Sequence, residues 1–265
     1  MSVDVPAVSA SVRILELLAA EWPKAMSPGT LVSTLKLNRS TCYNILATLQ
    51  RAGWATSLGD RAGWTLGPRL LTLTGVSKGI VASVVQEEIE DLSHALGFVV
   101  FALERGGSGG YTTVAKAERR AGVHVTTGVG DQFPFSAPAI LQAFEAWTPP
   151  ADLDRLIQRY GLQQFTEYTI TDPDDLHKLL AQVRRDGFSR SVRQFDLAQG
   201  GAAAPIFDTQ GRPSLVLCTL AFSSELNERN VAEVGALLRD GAQRLTKRIG
   251  GVSPVEPFDG AEATG

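Results

Sequence analysis

A guanidinium, two hydroxyls, a phenol and an amide follow one another within six residues near the start of the stretch 38–53, NRSTCYNILATLQRAG. They belong to Arg39, Ser40, Thr41, Tyr43 and Asn44. Groups of these types form hydrogen bonds with phosphate oxygens and with base edges. The same residues are also ordinary in a solvated first helical turn, so their types alone leave both interpretations open.

The rest of the stretch predicts the helix that positions these groups. Asn38 is a favourable N-cap residue, and Gly53 follows the last turn as a C′ glycine does. One face is apolar, with Cys42, Ile45, Leu46 and Leu49 at helical spacing. The apolar face must be buried, which leaves the polar amino-terminal groups on the open side.

The flanking segments predict partners for this helix. A helix is expected at 11–21, and a second begins at Ser27, an N-cap residue followed by Pro28 at N1. After the third helix, residues 54–67 read as a β-hairpin with Arg61 at its turn. Three helices and a hairpin predict a winged helix-turn-helix, in which the third helix enters the major groove and Arg61 reaches a phosphate or the minor groove.

Composition sets limits on the whole chain. Its 265 residues favour two domains, and its 44% hydrophobic and 20% charged residues are typical of a soluble globular protein. No transmembrane helix or signal peptide is expected, and the lone Cys42 and Cys218 indicate a reduced, cytoplasmic protein without disulfides. Residues 1–75 have seven basic and four acidic residues, a net charge of +3, against −6 for the remainder. A polyanion would therefore dock on the first region.

The second region changes from helical to mixed patterns. Residues 67–96 predict one or two connecting helices. Strands are expected at 98–104, 111–118, 122–128, 188–195, 202–208 and 214–222. Helices are expected at 137–147, 152–160, 172–186 and 228–249. Thr171 and Asp174 predict a capping box for the helix at 172–186.

Several segments together resemble the IclR family of bacterial transcriptional regulators. SVRILELLAA, NRSTCYNILATLQRAGWAT and GWTLGPRLLTLT are similar to its amino-terminal domain. DQFPFSAPAILQAF, residues 169–217 and the closing helix are similar to its effector-binding domain. The resemblance covers about residues 10–250.

This resemblance implies an α+β chain. It places a winged helix-turn-helix domain at 8–75, a linker helix at 76–90 and an effector-binding domain with a mainly antiparallel sheet at 91–250. The polar, glycine- and proline-containing composition of 251–265 separately predicts a disordered tail. The resemblance also implies a homodimer or a dimer of dimers that binds double-stranded operator DNA and a small-molecule effector. The expected role is control of a catabolic operon as a repressor, although the sequence itself does not distinguish repression from activation.

The resemblance also assigns DNA-binding and effector-binding positions. Arg39, Ser40, Thr41, Tyr43 and Asn44 fall on the recognition-helix motif. Asn44 stands where a basic residue is usual, and Thr65 replaces a frequent wing arginine, so a different operator sequence is expected. The effector positions are Val123, Phe135, Ala139, Ile140, Ser191, Gly201, Ala202, Cys218 and Leu220, with Phe133 and His124 nearby.

The chemistry of the effector positions differs from that of relatives that bind small oxo-acids. Those members resemble one another in having Asp, Cys and two Ser where this chain has Ser191, Gly201, Cys218 and Leu220. A less polar lining cannot pair dense carboxylate oxygens, and each unpaired polar group costs roughly 1–3 kcal/mol. We therefore expect a larger, flatter, more apolar effector, such as an aromatic acid or amide. Phe133 and Phe135 are also typical of a plain core, and His124 of a satisfied surface residue.

Two other interpretations remain open. An enzyme is disfavoured because Gly-x-Ser-x-Gly, His-x-x-x-His and Cys-x-x-Cys motifs are missing, so no metal, cofactor or catalytic residue is expected. Cys218 lies in the apolar run SLVLCTLAF, where a thiol is usually inert, and Arg119 or Arg120 would at most approach an acidic ligand. A scaffold that binds DNA without an effector is the second alternative, since Ile140 and Leu220 could fill the cavity.

Overall fold

The computed structural model describes residues 5–21, 23–59, 63–107, 109–118 and 123–254, without the side chains of 71–78 and 80. The chain divides into two compact units, Met1–Ile80 and Val81–Gly265. Among the described residues, no helix is both long and apolar enough to cross a membrane.

The first unit contains three helices and a two-stranded hairpin. The helices are α1 (Pro6–Ala20), α2 (Pro28–Leu35) and α3 (Arg39–Arg51), and the strands are β1 (Ala55–Ser57) and β2 (Trp64–Leu66). The two predicted N-caps are confirmed: the Ser27 side chain accepts from Thr30 N, and the Asn38 side chain accepts from Ser40 N. Proline at N1 starts α1 at residue 6, five residues before the predicted start.

The core of the first unit forms where the three helices meet. Ile14, Leu18, Leu31 and Leu46 are fully buried there. The antiparallel hairpin joins this core because Met26 pairs with Trp64 as an isolated bridge. Gly63 makes this approach possible, since its φ is +90° and a Cβ would lie 2.7 Å from Met26 O.

The second unit is a six-stranded antiparallel sheet between helices. A long helix, α4 (Arg69–Leu96), begins in the first unit and ends in the second. The strands are β3 (Val99–Arg105), β4 (Tyr111–Ala117), β5 (Gln132–Phe133), β6 (Ser189–Val192), β7 (Gln199–Phe207) and β8 (Pro213–Phe222). The other helices are α5 (Pro138–Glu145), α6 (Pro150–Tyr160), α7 (Pro173–Asp186) and α8 (Val231–Arg248). The strand order is β5-β4-β3-β8-β7-β6.

Alternation along the strands gives the sheet two buried faces. Val216 and Cys218 of β8 belong to the core on the side of α5, α6 and α7. Leu217 and Ala221 belong to the opposite core, beneath α8 and the last turns of α4. The last turns of α4 are tied to α8 by Glu88 with Arg244, whose closest atoms are 2.6 Å apart. The sheet thus separates two cores, and a predicted site residue faces one or the other.

Two predictions in this unit are wrong. No strand occurs in the described part of 122–128, because β5 and the turn before it occupy the edge of β4: Thr113 N donates to Asp131 O and Gly130 N to Thr113 O. The cap of α7 is Asp172, whose carboxylate accepts from Asp175 N at 3.1 Å, because Pro173 at N1 moves the helix start by one residue. The segment expected to be disordered is 251–265. Gly251 and Val252, at its start, donate backbone hydrogen bonds to Thr246 O and Asp208 O, and the part from 255 lies outside the described residues.

One substitution at two helical glycines tests the packing of α8. In Gly235→Ala the new Cβ would overlap the Phe188 ring, so the helix must move from the sheet. In Gly79→Ala of α4 nothing lies within 4 Å of the new Cβ. We expect Gly235→Ala to lower the free energy of unfolding by about 1–2 kcal/mol and Gly79→Ala to raise it by up to about 1 kcal/mol. Urea unfolding followed by circular dichroism measures both, and equal effects would contradict the packing described.

Candidate functional site

The open side of α3 is the first candidate site. Arg39, Ser40 and Asn44 are exposed there, and Tyr43 is 42% exposed. The Arg39 guanidinium carbon lies 5.9 Å from the centre of the Tyr43 ring, so the two side chains support each other. The structure therefore brings these predicted residues together at the amino-terminal end of a helix held in place from behind.

The cap of α3 orders this end. Asn38 Oδ1 accepts two hydrogen bonds, from Ser40 N at 3.0 Å and from Ser40 Oγ at 2.8 Å. Thr41, in contrast, is half-buried. Among the described residues no hydrogen bond engages the Asn44 side chain, so its amide remains available to a ligand.

Three further residues extend this surface and were not predicted. Thr48 and Arg51 follow Asn44 by four and seven residues and are exposed, and the Arg51 Nη2 lies 3.4 Å from Thr48 Oγ1. Lys36 is exposed in the turn before α3, at a φ of +52°. Helical periodicity counted from Asn44 would have indicated Thr48 and Arg51, whereas the position of Lys36 depends on the turn conformation.

The hairpin contains two positions that were singled out from the sequence, Arg61 and Thr65. Arg61 lies outside the described residues. Thr65 is 7% exposed, and its hydroxyl has no hydrogen-bond partner within the described part of the chain. Its side chain faces inward, so it does not replace the wing arginine as a surface group.

The second candidate site is a cavity between α5 and the sheet. Its lining includes Ala139, Ile140, Ser191, Cys218 and Leu220, as predicted, together with Phe133. Ala137, Pro138 and Phe195 also line it and were not predicted. Apart from one hydroxyl and one thiol the side chains are hydrocarbon, so the lining is as apolar as the sequence indicated.

The cavity is much smaller than a ligand. Its volume is about 30 Å³, whereas small-molecule pockets span roughly 300–1,000 Å³. The space vacated at Gly201 is occupied by Leu220: a Cβ at Gly201 would lie 2.9 Å from Leu220 Cδ2. Phe133 and Phe195 narrow it further, with ring centroids 6.3 Å apart. An effector can enter only if these side chains move.

Phe195 lies on a loop anchored by threonines. Thr166 Oγ1 donates to Arg193 O at 2.7 Å, and Thr169 Oγ1 donates to Gln194 O at 2.6 Å. The Gln194 side chain also accepts from Gln142 Nε2 of α5 at 3.2 Å. These bonds hold the backbone of the loop, so opening the cavity requires rotation of side chains more than displacement of the loop.

Three predicted effector residues lie elsewhere. Ala202 faces the opposite core, and Val123 is 89% exposed and apart from the cavity. Phe135 is buried and packs on Tyr160, with ring centroids 5.3 Å apart. The imidazole of the nearby His124 contacts the Glu118 carboxylate beside a different, smaller cavity, and Arg119 and Arg120 lie outside the described residues.

The second unit has one cysteine, Cys218, and its side chain is buried. Burial raises the pKa of the Cys218 thiol far above its ordinary value, so a nucleophilic thiolate does not form at neutral pH. Within the described ranges no group of three His, Cys, Asp or Glu side chains could hold a metal ion.

Comparison with known proteins agrees with these features. Residues 74–247 match the family model described as "Bacterial transcriptional regulator IclR C-terminal". The chain is 26% identical over 258 residues to the HTH-type transcriptional regulator RhmR of Escherichia coli K12, covering 96% of this chain and 97% of the relative. It is 23% identical to the transcriptional repressor IclR of the same organism, covering 94% and 92%.

A solved structure shares the fold. The IclR transcriptional regulator from Alicyclobacillus acidocaldarius superposes with a TM-score of 0.60 at 24% identity, covering 94% of this chain and 100% of that one. The match of the family model to more than half of the residues, with the helices and sheet described above, establishes that this chain belongs to the IclR family of bacterial transcriptional regulators.

Proposed function

We propose that the protein is a cytoplasmic DNA-binding transcriptional regulator that represses a catabolic operon until a small, apolar effector binds its second unit. The observation that carries the proposal is the open polar end of α3, which lies within a three-helix unit and a hairpin in a member of a regulator family. Relatives named as repressors support the direction of control.

The side chains of α3 and of the turn before it are assigned two roles in DNA binding. Arg39, Arg51 and Lys36 supply cationic groups for phosphates, which give salt-dependent affinity without sequence information. Asn44, with a free amide, is suited to a base edge, since asparagine pairs with adenine through two hydrogen bonds. Sequence discrimination is therefore assigned chiefly to Asn44.

A homodimer would present two such helices to a pseudo-palindromic operator, with half-site centres about 34–36 Å apart. Support for pairing comes from Val8 and Val12 of α1 and from Val5 at its N-cap, which are exposed by 60%, 48% and 56%. Their spacing places them on one helical face, opposite the face that carries Ile14 and Leu18 into the core. We assign this stripe, with the linker helix, to contact with a second copy, and a dimer of dimers would add contacts elsewhere.

The effector proposal rests on the cavity between α5 and the sheet. Its hydrocarbon lining fits an aromatic acid or amide better than a short oxo-acid, because it offers few partners to carboxylate oxygens. Since Leu220 and Phe195 must move, the ligand-bound and free forms differ in packing. Control of DNA binding then requires the effector to bind the two forms with different affinity.

A second candidate function is a ligand-independent DNA-binding scaffold. The volume of about 30 Å³ favours it, because Ile140 and Leu220 already fill most of the space beside Gly201. The two candidates share the DNA-binding unit and differ only in whether the cavity opens.

Asn44→Ala tests the base-reading role. We expect this substitution to weaken binding to an operator selected from random duplexes by roughly 1–3 kcal/mol while leaving binding to unrelated DNA unchanged. Fluorescence anisotropy with both duplexes measures the difference. Gln50→Ala removes an exposed amide from the last turn of the same helix and serves as the control. Equal losses on both duplexes would remove Asn44 from the base-reading set.

Val8→Asp tests the dimer contact. A carboxylate in an apolar stripe should separate the copies, because burying an unpaired charge is strongly unfavourable. The molar mass measured by light scattering after size exclusion should then fall from at least twice the chain mass of 28.3 kDa to the mass of one chain. Ala20→Asp, at the exposed last position of α1, is the control. A Val8→Asp protein that stays dimeric shows that the stripe lies outside the interface.

Thermal denaturation with a ligand panel tests the effector class. An aromatic acid or amide at one hundred times its dissociation constant should add about 2.7 kcal/mol of stability, whereas short oxo-acids should add nothing. Leu220→Ala lowers the starting stability by about 2 kcal/mol but enlarges the cavity, so the stabilisation by aromatic ligands should increase. Leu215→Ala, on the other face of β8, is the control. If neither the natural protein nor Leu220→Ala responds, the scaffold function stands instead.

A further inference from the structure

We propose that the second unit has another ligand site, which takes a small organic anion with a carboxylate or phosphate group. The site is a groove of about 480 Å³, far larger than the cavity beside Leu220. We name it the arginine groove, and define it by Trp147, Arg184, Arg185, Asp186, Arg239 and Asp240.

The arginine groove is locally cationic on an acidic chain. Arg184, Arg185, Arg239 and the adjoining Arg190 carry four positive charges, against two on Asp186 and Asp240. The chain as a whole has a net charge of −3. A positive concavity on such a background concentrates anions from solution.

Both carboxylates are already engaged by arginines. Asp186 forms an ion pair with Arg190. Asp240 Oδ1 accepts from Arg239 Nε at 3.0 Å and from Arg239 Nη2 at 2.9 Å. Asp186 and Asp240 are therefore taken up by Arg190 and Arg239, while Arg184 and Arg185 enter the groove from the last turn of α7.

Two of the guanidinium groups are fixed before any ligand arrives. Arg184 Nη1 donates to Ala146 O at 2.6 Å, at the end of α5. Arg239 lies over Gly187, where φ is +76° and a Cβ would be 2.8 Å from Arg239 Cδ. Fixed guanidinium groups lose little side-chain entropy when they bind a carboxylate or phosphate.

The remaining groups complete the site. Arg185 is exposed, and within the described residues it makes no hydrogen bond or ion pair, so its donors are available to a ligand. Trp147 forms an apolar wall, held edge-on against Phe207 with ring centroids 5.0 Å apart. A wall of this kind favours an organic anion over a bare inorganic one.

Isothermal titration of the full chain at low ionic strength tests the proposal. Citrate represents the carboxylate source and glycerol 3-phosphate the phosphate source, with glycerol as the neutral comparison. At least one anion should bind saturably and more weakly as sodium chloride is added, and the arm that binds identifies the source. The proposal would be overturned if neither anion gave a binding signal, or if glycerol bound as tightly as the anions.

Variants locate the binding. We expect the double substitution Arg184→Gln with Arg185→Gln to lower the affinity for the anion by about tenfold or more, which is the usual effect of losing a charged hydrogen bond. Arg185→Gln alone should give part of this loss without touching the bond to Ala146 O. Arg229→Gln with Lys247→Gln removes two exposed charges outside the groove and is the matched control. Equal affinities in the groove and control variants would place the anion elsewhere and overturn the proposal.

Discussion

The small side chains of β7 set how closely the helices approach the sheet, and most of the second unit depends on that approach. Gly200 lies so close to the Leu226 carbonyl that a Cβ would overlap it. Ala202 and Ala204 are completely buried beneath α8, and on the other face the Ser189 hydroxyl of the neighbouring strand reaches Ala139 O of α5 at 2.6 Å. Dense packing on both faces leaves little free volume, so any binding site in this sheet is opened by side-chain rotation or lies at its margin.

The same strand shows what a residue type can and cannot indicate. Gly201 suggests missing volume beside the predicted site, but not which neighbour takes that volume. Leu220 does, because it stands opposite Gly201 in the register of β7 and β8. Strand alternation assigns Ala202 to the other face, so two adjacent positions of the predicted site face different cores. Strand register and side-chain rotamers depend on packing across the whole sheet, so they could not be predicted from local sequence patterns.

Local signals were predicted well where one bond decides the outcome. Ser27 and Asn38 cap their helices because a short polar side chain in that position satisfies a backbone donor directly. The cap of α7 is Asp172 and not the predicted Thr171, because Pro173 fixes the first helical residue more strongly than the capping-box motif does. The expected strand at 122–128 failed for a non-local reason: the edge of β4 accepts a single partner, and residues 130–133 take it.

The cap of α3 also restricts what its serine can recognise. Ser40 Oγ gives its only hydrogen to Asn38 Oδ1, so toward solvent the hydroxyl offers lone pairs alone. Phosphate oxygens and the N7 atoms of purines are acceptors and cannot pair with such an oxygen, whereas the amino groups of adenine and cytosine can. While this cap holds, Ser40 can act toward solvent only as an acceptor, so under the function proposed above a base contact through Ser40 would be restricted to exocyclic amines.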